Sequence, residues 1–83
     1  MSTASEIIKR VMVEDFGVEP GEFTEAGNIF SDFGFDSLDG VELILAVEEA
    51  ADVDVPDEVI DRTHMTVAEL STVIDGLLTS KAN

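Results

Sequence analysis

Apolar residues recur at helical spacing along most of the chain. Ile7, Ile8, Val11, Met12 and Phe16 repeat at three- and four-residue intervals, which places them on one face of an α-helix. Thr3 and Glu6 fit a capping box at its start and Gly17 fits its C-terminal cap, so a helix is predicted over roughly 3–16. Residues 17–35 form a long connection rich in glycine, yet Val18, Phe23, Ile29, Phe30, Phe33 and Phe35 are spread along it. A long loop in a compact domain is functional or packed by its own side chains, and these residues predict an ordered loop. A second helix is predicted from about Ser37 to Ala51, with Asp36 as N-cap and Asp39 adding negative charge to the first turn. Val53-Asp54-Val55-Pro56 breaks it, because the residue before a proline avoids helical geometry. Residues 57–62 suit one short helical turn. A last helix starts at Thr66, which pairs with Glu69 in another capping box, and carries Val67, Leu70, Val73, Ile74, Leu77 and Leu78 on its apolar side. The tail 79–83 is expected to fray. No strand pattern survives beyond the brief alternation of Val53–Val55. The fold class is all-α: a single domain over 1–83, three main helices plus one short helix, with a long first loop.

The second helix has one apolar stripe more than its core requires. Leu43, Ile44, Val47, Ala50 and Ala51 form one. Leu38, Val41 and Leu45 form another, bordered by Glu42, Glu48 and Glu49. A surface helix of a small domain needs only one stripe. The first is assigned to the core and the second, acid-rimmed, to docking on basic protein surfaces. In the competing readings the long loop covers both stripes, or the glutamates are merely a solvated face.

Charge sharpens this picture. The chain has 83 residues, with 19 Asp and Glu against 4 Lys and Arg, a net charge of −15. Sixteen of the acids lie between Arg10 and Arg62 with no base among them. Such a field repels nucleic acid and anionic membrane, which need Lys and Arg to replace counterions. It attracts basic protein surfaces and speeds encounter with them. The 45% of apolar residues argue against disorder, although self-repulsion keeps stability low. No cysteine is present, so packing alone must hold a core that buries only about 60% of the unfolded surface. The apolar runs are too short for a membrane span, and no basic-then-apolar segment marks a secretory signal; a cytoplasmic monomer is the expectation.

The stretch that carries chemistry is Phe33-Gly34-Phe35-Asp36-Ser37-Leu38-Asp39-Gly40-Val41-Glu42-Leu43. A phosphate on the Ser37 hydroxyl would lie near unpaired N–H groups at the positive end of a helix dipole, a natural anion site. Read alone, Asp36-Ser37 is an ordinary helix cap. The surrounding residues change that reading. The Gly-x-Asp-Ser-Leu motif resembles that of acyl carrier proteins. So do Val41-Glu42-Leu43 after the serine, Glu48-Glu49 two to three turns later, and Val55-Pro56-Asp57; Gly17-Val18 and Thr66-Val67 are similar as well. The resemblance covers nearly the whole chain. It implies a 4'-phosphopantetheine arm on Ser37, donated from coenzyme A by a magnesium-dependent phosphopantetheinyl transferase with the help of Asp36. The arm's thiol then holds the cargo as a thioester, which supplies the thiol that the chain lacks. No residue is assigned a catalytic or metal-binding role. The expected partners are the transferase and the acyl-transferring and chain-processing synthases, docking through Leu38, Val41, Glu42, Leu45, Glu48 and Glu49. The strong acidity and the Val-Glu-Leu match favour fatty acid or related lipid synthesis. A carrier for polyketide, peptidyl or specialised lipid synthesis is the alternative.

Two residues depart from the family pattern: Gly40 and Ala51 stand where larger side chains are usual, Ala51 in place of an aromatic. Family members shelter an acyl chain between their helices, so the vacated space is expected to take up a long chain, unless Phe33, Phe35 or another loop aromatic fills it. Two unrelated functions fail on the motifs. A serine hydrolase needs Gly-x-Ser-x-Gly and a cleft, and the chain has Gly-Phe-Asp-Ser-Leu and little room. A calcium loop from Asp52 would need glycine and glutamate where Asp57 and Thr63 stand. His64, the lone histidine, is assigned no role.

Overall fold

The first helix, α1, spans Thr3–Phe16, the range that the apolar spacing predicts. Ile8, Val11 and Met12 are buried, while Ile7 and Phe16 are half-buried at the margins. The buried stripe also takes in Ala4 and Ser5, one turn nearer the N-terminus than the large apolar residues indicate. Thr3 is itself helical, so it is not the cap that its pairing with Glu6 suggests. Gly17 ends the helix with φ of 74°, a conformation that suits a residue without Cβ, and the Val18 N–H returns to the Met12 carbonyl at 3.1 Å. The structure is a computed structural model and describes residues 3–56 and 65–82. The short helical turn expected at 57–62 and His64 lie outside the described residues.

The long loop is ordered by its own groups. It contains one 3₁₀ turn, Pro20–Glu22. Asn28 organises its centre: the side-chain oxygen accepts from the N–H groups of Phe30 (2.8 Å) and Ser31 (3.0 Å). The Asn28 N–H donates to the Asp32 carboxylate (2.6 Å), and its carbonyl accepts from Asp32 and Phe33. Asparagine can satisfy several local backbone groups in this way, which makes it a common turn residue. Ile29 and Phe35 are buried, and the Phe35 ring lies 4.9 Å from that of Phe16, centroid to centroid.

The second helix, α2, spans Ser37–Ala51, and the third, α3, spans Val67–Ala82. α1 packs against both. Leu43, Ile44, Val47 and Ala51 of α2 meet Val67, Leu70 and Ile74 of α3 and the α1 stripe in one core. Ala50, assigned to the core stripe from sequence, is exposed; it lines an open pocket between α2 and α1 with Arg10, Val11, Glu14 and Ala46. α3 also runs on to Ala82, past Leu78, where fraying was expected to begin; the Thr79 hydroxyl donates to the Asp75 carbonyl at 2.9 Å.

The loop is stitched to the start of α3. The Ile29 N–H donates to the Met65 carbonyl, and the Val67 and Ala68 N–H groups donate to the carbonyls of Gly27 and Glu25. Asn28 and Thr66 form an isolated antiparallel bridge, and among the described residues there is no named strand. A polar contact joins the same region to α1: buried Ser5 donates to the Glu25 carboxylate, and its Oγ lies 3.1 Å from that of buried Ser71. The side chains that make this contact are all polar, so hydrophobic periodicity did not reveal it. No described helix is long and apolar enough to cross a membrane.

Candidate functional site

The chain enters α2 through Gly34, with φ of 75°, then the buried Phe35 and the extended Asp36. Phe35 anchors the entry in the core, and Asp36 stands at the surface as N-cap. The Asp36 carboxylate accepts from the Asp39 N–H at 2.8 Å, and the Asp39 carboxylate accepts from the Asp36 N–H at 3.2 Å. This is a reciprocal capping box with aspartate in the position where glutamate or glutamine is usual. The sequence foretold the cap but not the return bond from Asp39.

Ser37 is the first helical residue and is exposed. Among the described residues nothing bonds its hydroxyl, and nothing accepts from the N–H groups of Ser37 and Leu38. A phosphate ester at Ser37 Oγ fits this setting: the hydroxyl is accessible, and two unpaired amides stand at the positive end of a 15-residue helix. The opposing term is the charge of Asp36 and Asp39, each partly offset by the amide it accepts from.

The second apolar stripe of α2 is open to solvent. Leu38 and Leu45 are 65% and 54% exposed, and Val41 between them is half-buried. Glu42 and Glu49 are exposed. Glu48 is half-buried and does a second job: its carboxylate accepts from the Val55 N–H at 2.6 Å, and its backbone carbonyl accepts from Asp52 and Val53. These bonds close α2 where Asp52 adopts φ of 57°, a left-handed conformation that aspartate tolerates. Sequence reasoning gave Glu48 only a surface role. The available signal was a carboxylate in the last turn before a segment, Val53–Val55, that must find partners for its own N–H groups.

Gly40 is buried, and a Cβ built there would meet two atoms of the Phe30 ring at 2.8 Å. The space left by Gly40 is therefore filled by a loop aromatic, and that aromatic is Phe30 rather than Phe33 or Phe35. Phe33 instead packs on Gly27, where an added Cβ would meet its ring at 2.7 Å. Ala51 is buried within the core. Among the described residues no cluster of His, Asp or Glu is arranged to hold a metal ion.

Residues 6–74 match the family described as the phosphopantetheine attachment site.

Proposed function

Since the chain belongs to the phosphopantetheine-attachment family, whose cofactor is 4'-phosphopantetheine, we propose that it carries acyl groups as thioesters on an arm joined to Ser37. The observation that carries this reading is the exposed, unpartnered Ser37 hydroxyl at the first position of a capped helix, inside Gly-x-Asp-Ser-Leu. In this reading the protein catalyses nothing itself. It is the substrate of a phosphopantetheinyl transferase, assisted by Asp36, and then of synthases that load, alter and remove the cargo. Those enzymes present basic surfaces to Leu38, Val41 and Leu45 within the rim of Glu42, Glu48 and Glu49. The protein works as a cytoplasmic monomer, in fatty acid or related lipid synthesis. The acidity of the chain and the Val41-Glu42-Leu43 sequence support that pathway over a polyketide or peptidyl one.

The test is loading by a phosphopantetheinyl transferase with coenzyme A and magnesium, read by intact mass. Wild type gains the mass of one arm, and Ser37→Ala gains none while its circular dichroism stays helical. An arm on the Ala variant removes the assignment. Mass spectrometry of the protein from its native host then names the cargo; an aminoacyl or polyketide group there would overturn the lipid pathway and leave the carrier role intact.

A further inference from the structure

The surroundings of Ser37 divide around the α2 axis. At about 100° per residue, Gly40 lies about 60° to one side of Ser37. Val41, Leu45 and Leu38 lie about 40°, 80° and 100° to the other. The exposed apolar residues on the second side are those of the docking stripe. On the first side helix position 40 contributes no side chain, and the Phe30 ring occupies that place. A helical side chain leans over the turn on its N-terminal side, so the space belonging to position 40 borders the turn that holds Ser37. Phe30 is half-buried, with one part against α2 and another toward solvent.

We propose that the resting phosphopantetheine arm lies back across the exposed part of the Phe30 ring, leaving the Leu38–Val41–Leu45 face clear for partner enzymes. This rests on the reading that Ser37 bears the arm. The chemistry of the arm suits the ring. Immediately beyond the phosphate comes a branched alkyl unit, a quaternary carbon with two methyl groups, before the first amide. That short apolar segment cannot reach far from Ser37, and the Phe30 ring, whose Cε1 and Cζ lie at position 40 one helical turn away, is within its range; Cβ atoms three residues apart on a helix are about 5–6 Å from each other. The ring is held in place for this role. The Phe30 N–H is fixed by the Asn28 side chain, and the ring is seated on a glycine that any side chain would displace. Gly40 is thus the residue that admits the platform, which gives a purpose to a departure from the family pattern that otherwise only loosens the helix.

The experiment uses protein loaded with a ¹³C-labelled arm, its loading confirmed by mass, and reads the two methyl signals by NMR. In wild type both methyls are expected to move upfield of their positions in coenzyme A, because they lie over a ring, and to show nuclear Overhauser contacts to the Phe30 ring protons. In Phe30→Leu the upfield shift is lost while the arm still loads. Methyl signals matching coenzyme A in loaded wild type, contacts to Leu38 or Leu45 instead, or a shift that persists in Phe30→Leu would each overturn the proposal. The wild-type contacts decide the matter even if the variant folds poorly. Wild type that accepts no arm removes the attachment reading as well, whereas a loaded arm with free-like methyls removes this inference alone.

Discussion

The starts of α2 and α3 are built alike and end up in opposite surroundings. Each opens with a reciprocal capping box: Asp36 with Asp39, and Thr66 with Glu69, where the Thr66 hydroxyl accepts from the Glu69 N–H at 3.1 Å. At α3 the next donors are consumed by the loop, since Val67 and Ala68 give their N–H groups to Gly27 and Glu25. At α2 the equivalent amides, on Ser37 and Leu38, have no partner among the described residues. A helix start left open in this way binds anions, and one closed by a neighbouring strand of chain is a structural joint. The cap identifies a helix start; what lies against it decides whether that start can receive a phosphate.

The sharpest way to break this comparison is to offer the closed start a nucleophile. Thr66→Ser places a serine at the α3 cap, one residue before the position equivalent to Ser37, and in a Ser37→Ala background the transferase is expected to add nothing to it. Peptide mapping that finds an arm at residue 66 would show that openness is irrelevant. The next largest effect concerns the far end of α2. Glu48→Ala strands the Val55 N–H, a bond to a charged acceptor, and should cost roughly 1–3 kcal/mol in chemical denaturation. Glu42→Ala, at an exposed residue, should change stability by less than about 0.5 kcal/mol. Equal effects would mean that Glu48 is only a surface charge.

Partner binding gives a further contrast. Reversing Glu42 and Glu49 to Lys should weaken binding to a cognate synthase about tenfold, or about 1.4 kcal/mol, with a melting temperature that does not fall. Raising the salt should weaken wild-type binding too, because exposed charges are screened over about 8 Å at physiological ionic strength. Affinity that ignores both changes would place docking elsewhere. The smallest effects return to the two caps. Thr66→Ala and Asp36→Ala should each lose about 1 kcal/mol, but Asp36→Asn, which keeps a capping oxygen, should hold stability and still slow loading. Loading by Asp36→Asn at the wild-type rate would reduce Asp36 to a cap.

Much of this was legible along the chain because helices announce themselves locally. The bounds of α1 and α2 follow from three- and four-residue apolar spacing, Gly17 and Asp36, since capping and periodicity act within a few residues. The two stripes of α2 were legible for the same reason, and Leu38 and Leu45 are indeed exposed. The exception, Ala50, shows how little one small residue at the edge of a stripe contributes to the pattern. The Ser5–Glu25–Ser71 contact was illegible: its members are 20 and 66 positions apart, and each reads singly as an ordinary surface residue.

The sequence by itself determined the helices, the acid field and the Gly-x-Asp-Ser-Leu motif, because spacing, charge and residue identity are properties of the chain whatever its fold. Tertiary structure alone decided which of two similar caps stays open, that Glu48 ties down Val55, and that Phe30 of the three neighbouring loop aromatics fills the notch at Gly40. Each of these depends on the path of the long loop. That path is set by a few directional bonds at Asn28 and by the fit of rings against glycines, and both are contacts between groups that no periodic pattern relates.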